Sequence, residues 1–564
     1  MSIRVFLLLI CICFAFFKVR AQDLENVGSD IKEIVKVNGS FNLGLGYYNV
    51  KGIDNRRAPF SWYLAGAPTL SVGGFNMPFS AMVSEQERTF QQPFNQVGAS
   101  PYYKWAKLHL GYRNIVFSDY TLAGATFLGG GIELSPGKFR FSAFHGRLRR
   151  AVDEDTNLTF TVLPSYKRMA SGMNIGLGSS KNSFEISLLR SRDKIGSTQI
   201  ISRNYDIKPE DNLVLGLKNQ LTIMKKLKFG FDAAVSFITH NRTLGAIELE
   251  EVIENDFLTS LANNFIEINP SSKAKFAGNA FLEYREKNWR LKYLAKYVES
   301  DFISHGANYI QDDLIQHTLS PSFSLFRRRV NFNLSGGYQR DNLNNYKKAT
   351  TERVIGSASV NFTPLKRMMT TLSYSNYGTN QTSGLVQLND SIRMSLVNSS
   401  IGSSISYQIP TERTSNQIVF NYQQNKVLDR NEFSRKYSES NINFYNLSYS
   451  LGINKAKISI SIGSNYSDVK TYLNNIETYG GTLGINKTFF KNKLRVHNSL
   501  NYQQRFINKE KNGHIISNNT SINLQLKSKH SIGLIFTLIK NTTTVQAYSV
   551  FNEQRIQFTY GFNF

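Results

Sequence analysis

The sequence predicts an all-β protein, a transmembrane antiparallel β-barrel of about 26 strands with a range of 22–26, short periplasmic turns and longer outer loops. Three observations predict it. The chain ends on RIQFTYGFNF (555–564), where Ile556, Phe558, Tyr560, Phe562 and Phe564 share one face and Arg555, Gln557, Thr559, Gly561 and Asn563 the other. That is the period of two of a strand with one apolar side. Short basic turns recur along the chain, most of them 36–45 residues apart, with two such strands and one longer polar loop in each interval. An apolar leader opens the chain, and no later stretch approaches the 18 uninterrupted apolar residues of a spanning helix.

The leader reads MSIRVFLLLICICFAFFKVRAQ: one early charge at Arg4, an apolar run from Val5 to Phe17, and Val19-Arg20-Ala21, small at both positions read by signal peptidase. It predicts a secretory signal over 1–21, a short periplasmic segment over 22–35 and one barrel domain over 36–564. Both cysteines, Cys11 and Cys13, lie in the leader, so rigidity is expected from the sheet and not from disulfides.

Composition agrees with that domain. Tyr and Phe number 28 and 40 against 12 Pro, charge is 19%, and mean hydropathy is only −0.30. Alternation hides the hydrophobicity of a membrane barrel in the average. The 66 Lys and Arg exceed the 41 Asp and Glu, an excess that predicts acidic partners. Export excludes nucleic acid and leaves anionic lipid, lipopolysaccharide or anionic solutes.

The strands follow in order. The first is expected near Lys36–Val50. Val330, Phe332, Leu334 and Tyr338 alternate with Asn331, Asn333, Ser335 and Gly337, and Tyr445, Leu447, Tyr449 and Leu451 with Asn446, Ser448, Ser450 and Gly452. Turns are expected at SPGK (135–138), SKN (180–182), KK (225–226), EKN (286–288), RRR (327–329), PLKR (364–367), IPTER (409–413), NKAK (454–457), FKNK (490–493) and SKHS (528–531), with two more near Pro68 and 101–105. Twelve turns make 24 strands, and the first and last bring the number to 26, even as bacterial single-chain barrels require. A propeller, the rival for a repeat of this length, needs four short strands per interval and a blade signature that is absent. In hydrocarbon every backbone polar group must be paired, so the last strand is expected to pair with the first and turn Phe564 toward lipid.

A barrel this wide needs filling. A TonB-dependent plug domain is not expected, because only about 14 residues separate the leader from the first strand. Two internal segments are candidates. In 84–131, dense in aromatics, Gln and Gly, the piece Asn114–Thr126 is a candidate constriction, with Asn114, Asp119 and Tyr120 its polar residues. In 244–269, Leu249, Ile253, Phe257, Leu261 and Phe265 recur every four residues and predict a helix, read as a solvated outer loop or as a gate or docking element.

Reactive constellations are absent. The eight His show no metal spacing, and no cofactor is expected. His240 and His305 fall at the outer rim and read as solvated polar residues. GATFLGGG (124–131) lacks the Lys-Ser/Thr of a phosphate loop and reads as a strand closely approached by another backbone. RLRR supplies Arg147, Arg149 and Arg150 as candidate contacts for lipopolysaccharide or anions, beside the plainer reading of a solvated rim.

Two resemblances add to this. The terminal alternation of Ile556, Phe558, Tyr560, Phe562 and Phe564 resembles the C-terminal signal read by the barrel-assembly machinery. QPFNQVGASPYYKW, LHLGYRN and YTLAGATFLGGGIELSPGKFRF resemble a family of large, mostly uncharacterised outer-membrane barrels of the Bacteroidota type. That resemblance implies an integral outer-membrane barrel and no particular substrate. The expected function is therefore a porin-like, non-enzymatic channel for hydrophilic, notably anionic, solutes. The alternative is an accessory barrel in an assembly, secretion or surface-display complex with other outer-membrane or periplasmic subunits.

Overall fold

The computed structural model describes residues 35–85, 95–154, 163–179, 181–199, 206–245, 266–383, 393–544 and 550–564. The predicted leader and the five apolar positions of the predicted helix, Leu249, Ile253, Phe257, Leu261 and Phe265, lie outside the described residues.

The described chain forms one closed antiparallel sheet of 26 strands. Three strands are each broken into two pieces: β1 (Val35–Asn38 and Ser40–Lys51), β2 (Phe60–Gly66 and Thr69–Val72) and β4 (Gln96–Ala99 and Tyr102–Tyr103). Between and after them come β3 (Phe75–Ser84), β5 (Ala106–Arg113) and β6 (Phe127–Leu134). A middle sector holds β7 (Phe139–Arg149), β8 (Arg168–Gly178), β9 (Ser183–Asp193), β10 (Asp211–Ile223), β11 (Leu227–Thr239), β12 (Ser272–Arg285), β13 (Trp289–Val298) and β14 (Leu314–Leu325). A regular sector completes the circle: β15 (Val330–Asp341), β16 (Ala349–Phe362), β17 (Met368–Ser383), β18 (Ser395–Pro410), β19 (Thr414–Asp429), β20 (Ser440–Ile453), β21 (Ile458–Thr471), β22 (Asn475–Phe489), β23 (Leu494–Ile507), β24 (Glu510–Leu526), β25 (His530–Asn541) and β26 (Phe551–Asn563).

The ends meet as the alternation requires. β1 pairs with β26 from Ser40↔Asn563 to Lys51↔Asn552, and Gly39 and Phe564 exchange both backbone hydrogen bonds at 3.1 Å. No free edge remains there for another chain to extend. Phe564 stacks on Phe41, with ring centroids 5.5 Å apart.

The basic clusters do sit at the tight turns on the side of the barrel that carries both terminal strand ends. The turn expected near Pro68 is displaced to Gly73-Gly74, which take φ of 54° and 88°. A two-residue hairpin needs left-handed backbone that Gly adopts without a Cβ penalty. Pro68 instead marks the break in β2, where no ladder donor is available.

Alternation sorts the two faces. Outside, apolar side chains are bare: Leu177 is 63% and Ile462 60% exposed. Toward the loop side, Tyr422, Tyr445, Tyr466, Tyr479 and Phe506 form a line of rings across β19–β23, with successive centroids 4.8–5.9 Å apart. A second aromatic line runs at the turn side and includes Phe489, Phe562, Phe564 and the stacked pair Phe323–Phe332. Tyr479 and Phe489 are ten residues apart on β22. At a rise of about 3.4 Å per residue and a tilt of about 40°, the two lines stand about 26 Å apart, the height of an apolar membrane band. Inside, the regular sector presents Ser, Asn, Thr, Gln and Gly, as in Asn446, Ser448, Ser450 and Gly452 of β20.

Candidate functional site: a two-segment constriction in the lumen

The buried apolar residues are not spread round the barrel. Among the described residues all of them lie between Tyr48 and Leu314. The main cluster joins Ile115, Phe117, Tyr120, Leu122 and Phe127 to lumen-facing Phe144, Leu189, Val214, Ala234 and Ala277. Residues 114–126, between β5 and β6, therefore lie inside the barrel against the middle sector. Tyr120 and Leu122 are 2% and 0% exposed, whereas Asn114 and Asp119 remain exposed.

A second segment, 299–313 between β13 and β14, enters beside it. Gly306–Ala307 pairs in parallel with Leu122–Ala123. A Cβ on Gly306 would stand 2.5 Å from both Leu189 Cδ2 and the Thr121 carbonyl oxygen, so the two backbones pack closer than any larger residue allows. Ser304 donates to the Thr121 carbonyl at 2.7 Å. Tyr120 stacks edge-on against Phe302 at 6.1 Å.

The wall holds both segments with matched polar groups. The Asp119 backbone N–H donates to Asp232 of β11 at 2.9 Å, Asn279 of β12 donates to the Tyr120 hydroxyl at 3.1 Å, and Ser187 of β9 donates to Thr121 at 3.2 Å. Asn212 and Ser236 donate to the Ile303 carbonyl. Burial, with Asp232 and Asp119 nearby, pushes the Tyr120 hydroxyl up to about 12.

His305 is the deepest anchor. Its Nδ1 is 2.6 Å from Ser191 Oγ and its Nε2 3.1 Å from Glu210, which also accepts from Arg168 at 2.7 Å. Arg168 and Arg149 both close on Asp193. Burial first, then the Arg168 charge, lowers His305 to about 4. Against the pull of burial, hydrogen bonds from His240 and His305 and the Arg168 charge hold the Glu210 carboxyl well below its ordinary range. The expectation of a solvated rim His fails at position 305, because its loop turns inward. His240 is half-buried beside Glu210 at 3.4 Å. A similar brace stands lower in the wall, where His109 links Ser100 at 3.2 Å to Glu133 at 2.5 Å. Both rings are shut off from solvent, which suits bracing.

The structure separates the three arginines of RLRR. Arg147 sits on the outward face and donates to Tyr112 Oη at 2.9 Å. Arg149 turns inward to Asp193 at 3.1 Å. Arg150 is half-buried, its carbonyl accepting from Ser165. The described end of the predicted helical loop runs outside the barrel: Ile266 and Ile268 pack over Leu213 and Phe237.

Sequence reasoning places His305 at the rim and does not identify residues 299–313 as an inward segment. Their signal is weak: Gly306-Ala307 marks a close approach, but nothing local says which backbone approaches. The cations of the passage were also missed. Lys292 and Lys296 alternate with outward residues on β13, facing the lumen with Arg290. Lys228 and Lys292 stand over the ring of lumenal Phe281, at 5.4 and 5.0 Å from its centroid.

No protein-family profile and no curated protein matches the chain. Among solved structures it is similar to OccK1 (OpdK) of Pseudomonas aeruginosa at 12% identity, over 63% of this chain and 93% of that one, with a TM-score of 0.31. OccAB4 of Acinetobacter baumannii matches at 13% identity, over 68% and 99%, with a TM-score of 0.29. The P pilus usher (PapC) translocation pore matches at 10% identity, over 93% and 98%, with a TM-score of 0.36. At such scores the functional reading has to rest on the geometry of this chain.

Proposed function

We propose that the protein is a porin-like outer-membrane channel for hydrophilic solutes, in which the two inward segments narrow one side of the lumen and leave the regular sector as the wall of the passage. One observation carries it: the main buried apolar cluster lines one arc of the barrel, while β15–β26, apart from cations such as Arg353 and Arg495, face the lumen mainly with hydroxyls and amides. Such groups solvate water and small polar solutes without trapping them.

Anions are the favoured class. Arg290, Lys292 and Lys296 face the lumen down β13, with Lys228 near them and Glu283 and Asp119 as the neighbouring carboxylates, and a net excess of one sign along a passage raises the local concentration of the opposite sign. No catalytic step is part of the proposal.

The test is a reversal potential in planar bilayers under a salt gradient. Purified protein is expected to conduct and to favour chloride over potassium. Lys292→Gln with Lys296→Gln is expected to cut that preference at least about twofold at low salt, with little change at 1 M, where screening reaches about 3 Å. A silent protein that purifies with a stoichiometric second chain would favour the accessory-barrel alternative.

A further inference from the structure

The excess positive charge is not distributed evenly between the two rims. The twelve tight turns hold eighteen Lys and Arg and only two carboxylates, Glu286 and Glu412. All eighteen cations are exposed. Eleven turns carry at least one, the exception being Gly73-Gly74. The described loops at the opposite rim carry fourteen Lys and Arg against fourteen Asp and Glu. Within the turns only Lys226 is drawn into an ion pair, with Glu286 at 2.6 Å, among the described residues. Local geometry keeps the charges at the rim: Arg327 and Arg328 take left-handed φ of 56° and 68°, a conformation that costs energy in non-Gly residues and that the tight hairpin imposes.

We infer that this rim is a binding ring for the phosphate headgroups of anionic phospholipid in the adjoining leaflet. Depth and shape decide the partner. The ring lies just beyond the lower aromatic line, where acyl chains give way to headgroups. It follows the whole circumference, whereas a docked protein would need charge concentrated on one side. A partner that surrounds the barrel at this level is lipid. Lys487 shows the behaviour in miniature. It rises from the lipid face beside Phe489, its ammonium 5.5 Å from that ring, and reaches down to the Ala456 carbonyl in a turn at 2.7 Å. Long cationic side chains snorkel in this way, with the stem in the apolar band and the head at the interface. Near an anionic surface each such charge adds attraction that salt screens.

The inference rests on reading the apolar band between the two aromatic lines as membrane-spanning, and the test separates the two. Two of the three tryptophans, Trp105 and Trp289, lie at this rim, 51% and 45% exposed. They report on the lipids touching it. The W62F protein is reconstituted into phosphatidylcholine vesicles that contain a small fraction of spin-labelled phosphatidylglycerol or spin-labelled phosphatidylcholine, and quenching of Trp fluorescence is compared. The expected result is quenching by the anionic label that exceeds that of the zwitterionic label at least about twofold at low salt and approaches equality at 0.5 M NaCl. A seven-site variant in the turns that flank the two reporters, Lys104→Gln, Lys138→Gln, Lys225→Gln, Lys287→Gln, Arg327→Gln, Arg328→Gln and Arg329→Gln, is expected to lose most of the preference. If that variant does not assemble, the salt dependence of the W62F protein decides alone. Equal quenching by both lipids at low salt overturns the ring. Absence of quenching by either lipid overturns the membrane reading instead.

Discussion

His305 shows how one residue ties the inner segments to the wall. Its imidazole is fully buried between Ser191 and Glu210 and is held neutral, with its proton affinity lowered to about 4. An unfolded histidine takes up a proton as pH falls through about 6.5, while the folded one resists until about 4, so the unfolded segment binds more protons in that window. The anchor therefore contributes its full stability above pH ~6.5 and loses it as pH drops toward 4, by up to roughly 3 kcal/mol. Single-channel recordings are expected to be quiet at pH 7.5 and to show larger, fluctuating steps at pH 4.5. His305→Gln keeps a hydrogen-bonding side chain that cannot titrate, and is expected to flatten that change; identical traces for the natural protein at both pH values would refute the role.

At the scale of elements, alternation explains most of what was legible. The turns at 135–138 and 454–457 and the strands between them follow from period two and from turn chemistry, both local properties. The inward strand-and-loop GATFLGGG was legible as a close approach, and it is one: a Cβ on Gly129 would stand 2.0 Å from the His145 carbonyl oxygen, whereas one on Gly130 meets nothing nearer than 3.9 Å. Gly129→Val is therefore expected to impair β6–β7 pairing and reduce the heat-modifiable folded band on gels by at least about half, while Gly130→Ala leaves it unchanged. Equal yields from both would contradict the packing. The partner of the first inner segment was not legible, for a physical reason. Residues 302–307 are held by Ser191, Asn212 and Ser236, more than sixty residues upstream. No local periodicity encodes such a pairing. His305 was read as a rim residue because its place was inferred from strand ends alone.

For the whole molecule, closure and filling answer different demands. Joining β1 to β26 satisfies the backbone in hydrocarbon, and the terminal Phe564 completes the last hydrogen-bonded pair with Gly39. A closed circle of 26 strands encloses a wide lumen, and the inner segments pack against one side of it. That division of labour is also why the site was harder to read than the fold: the sheet repeats one local rule, whereas the constriction depends on contacts between distant loops. The most direct measurement is single-channel conductance in planar bilayers of the natural protein and of a variant with 115–125 and 300–311 replaced by short Gly-Ser links. The links can close because Arg113 and Phe127, and Val298 and Leu314, are already register partners. Discrete steps are expected from the natural protein and steps at least about twofold larger from the variant, since the inner segments take lumen cross-section. Equal conductance from two folded proteins, or none from either, would contradict it.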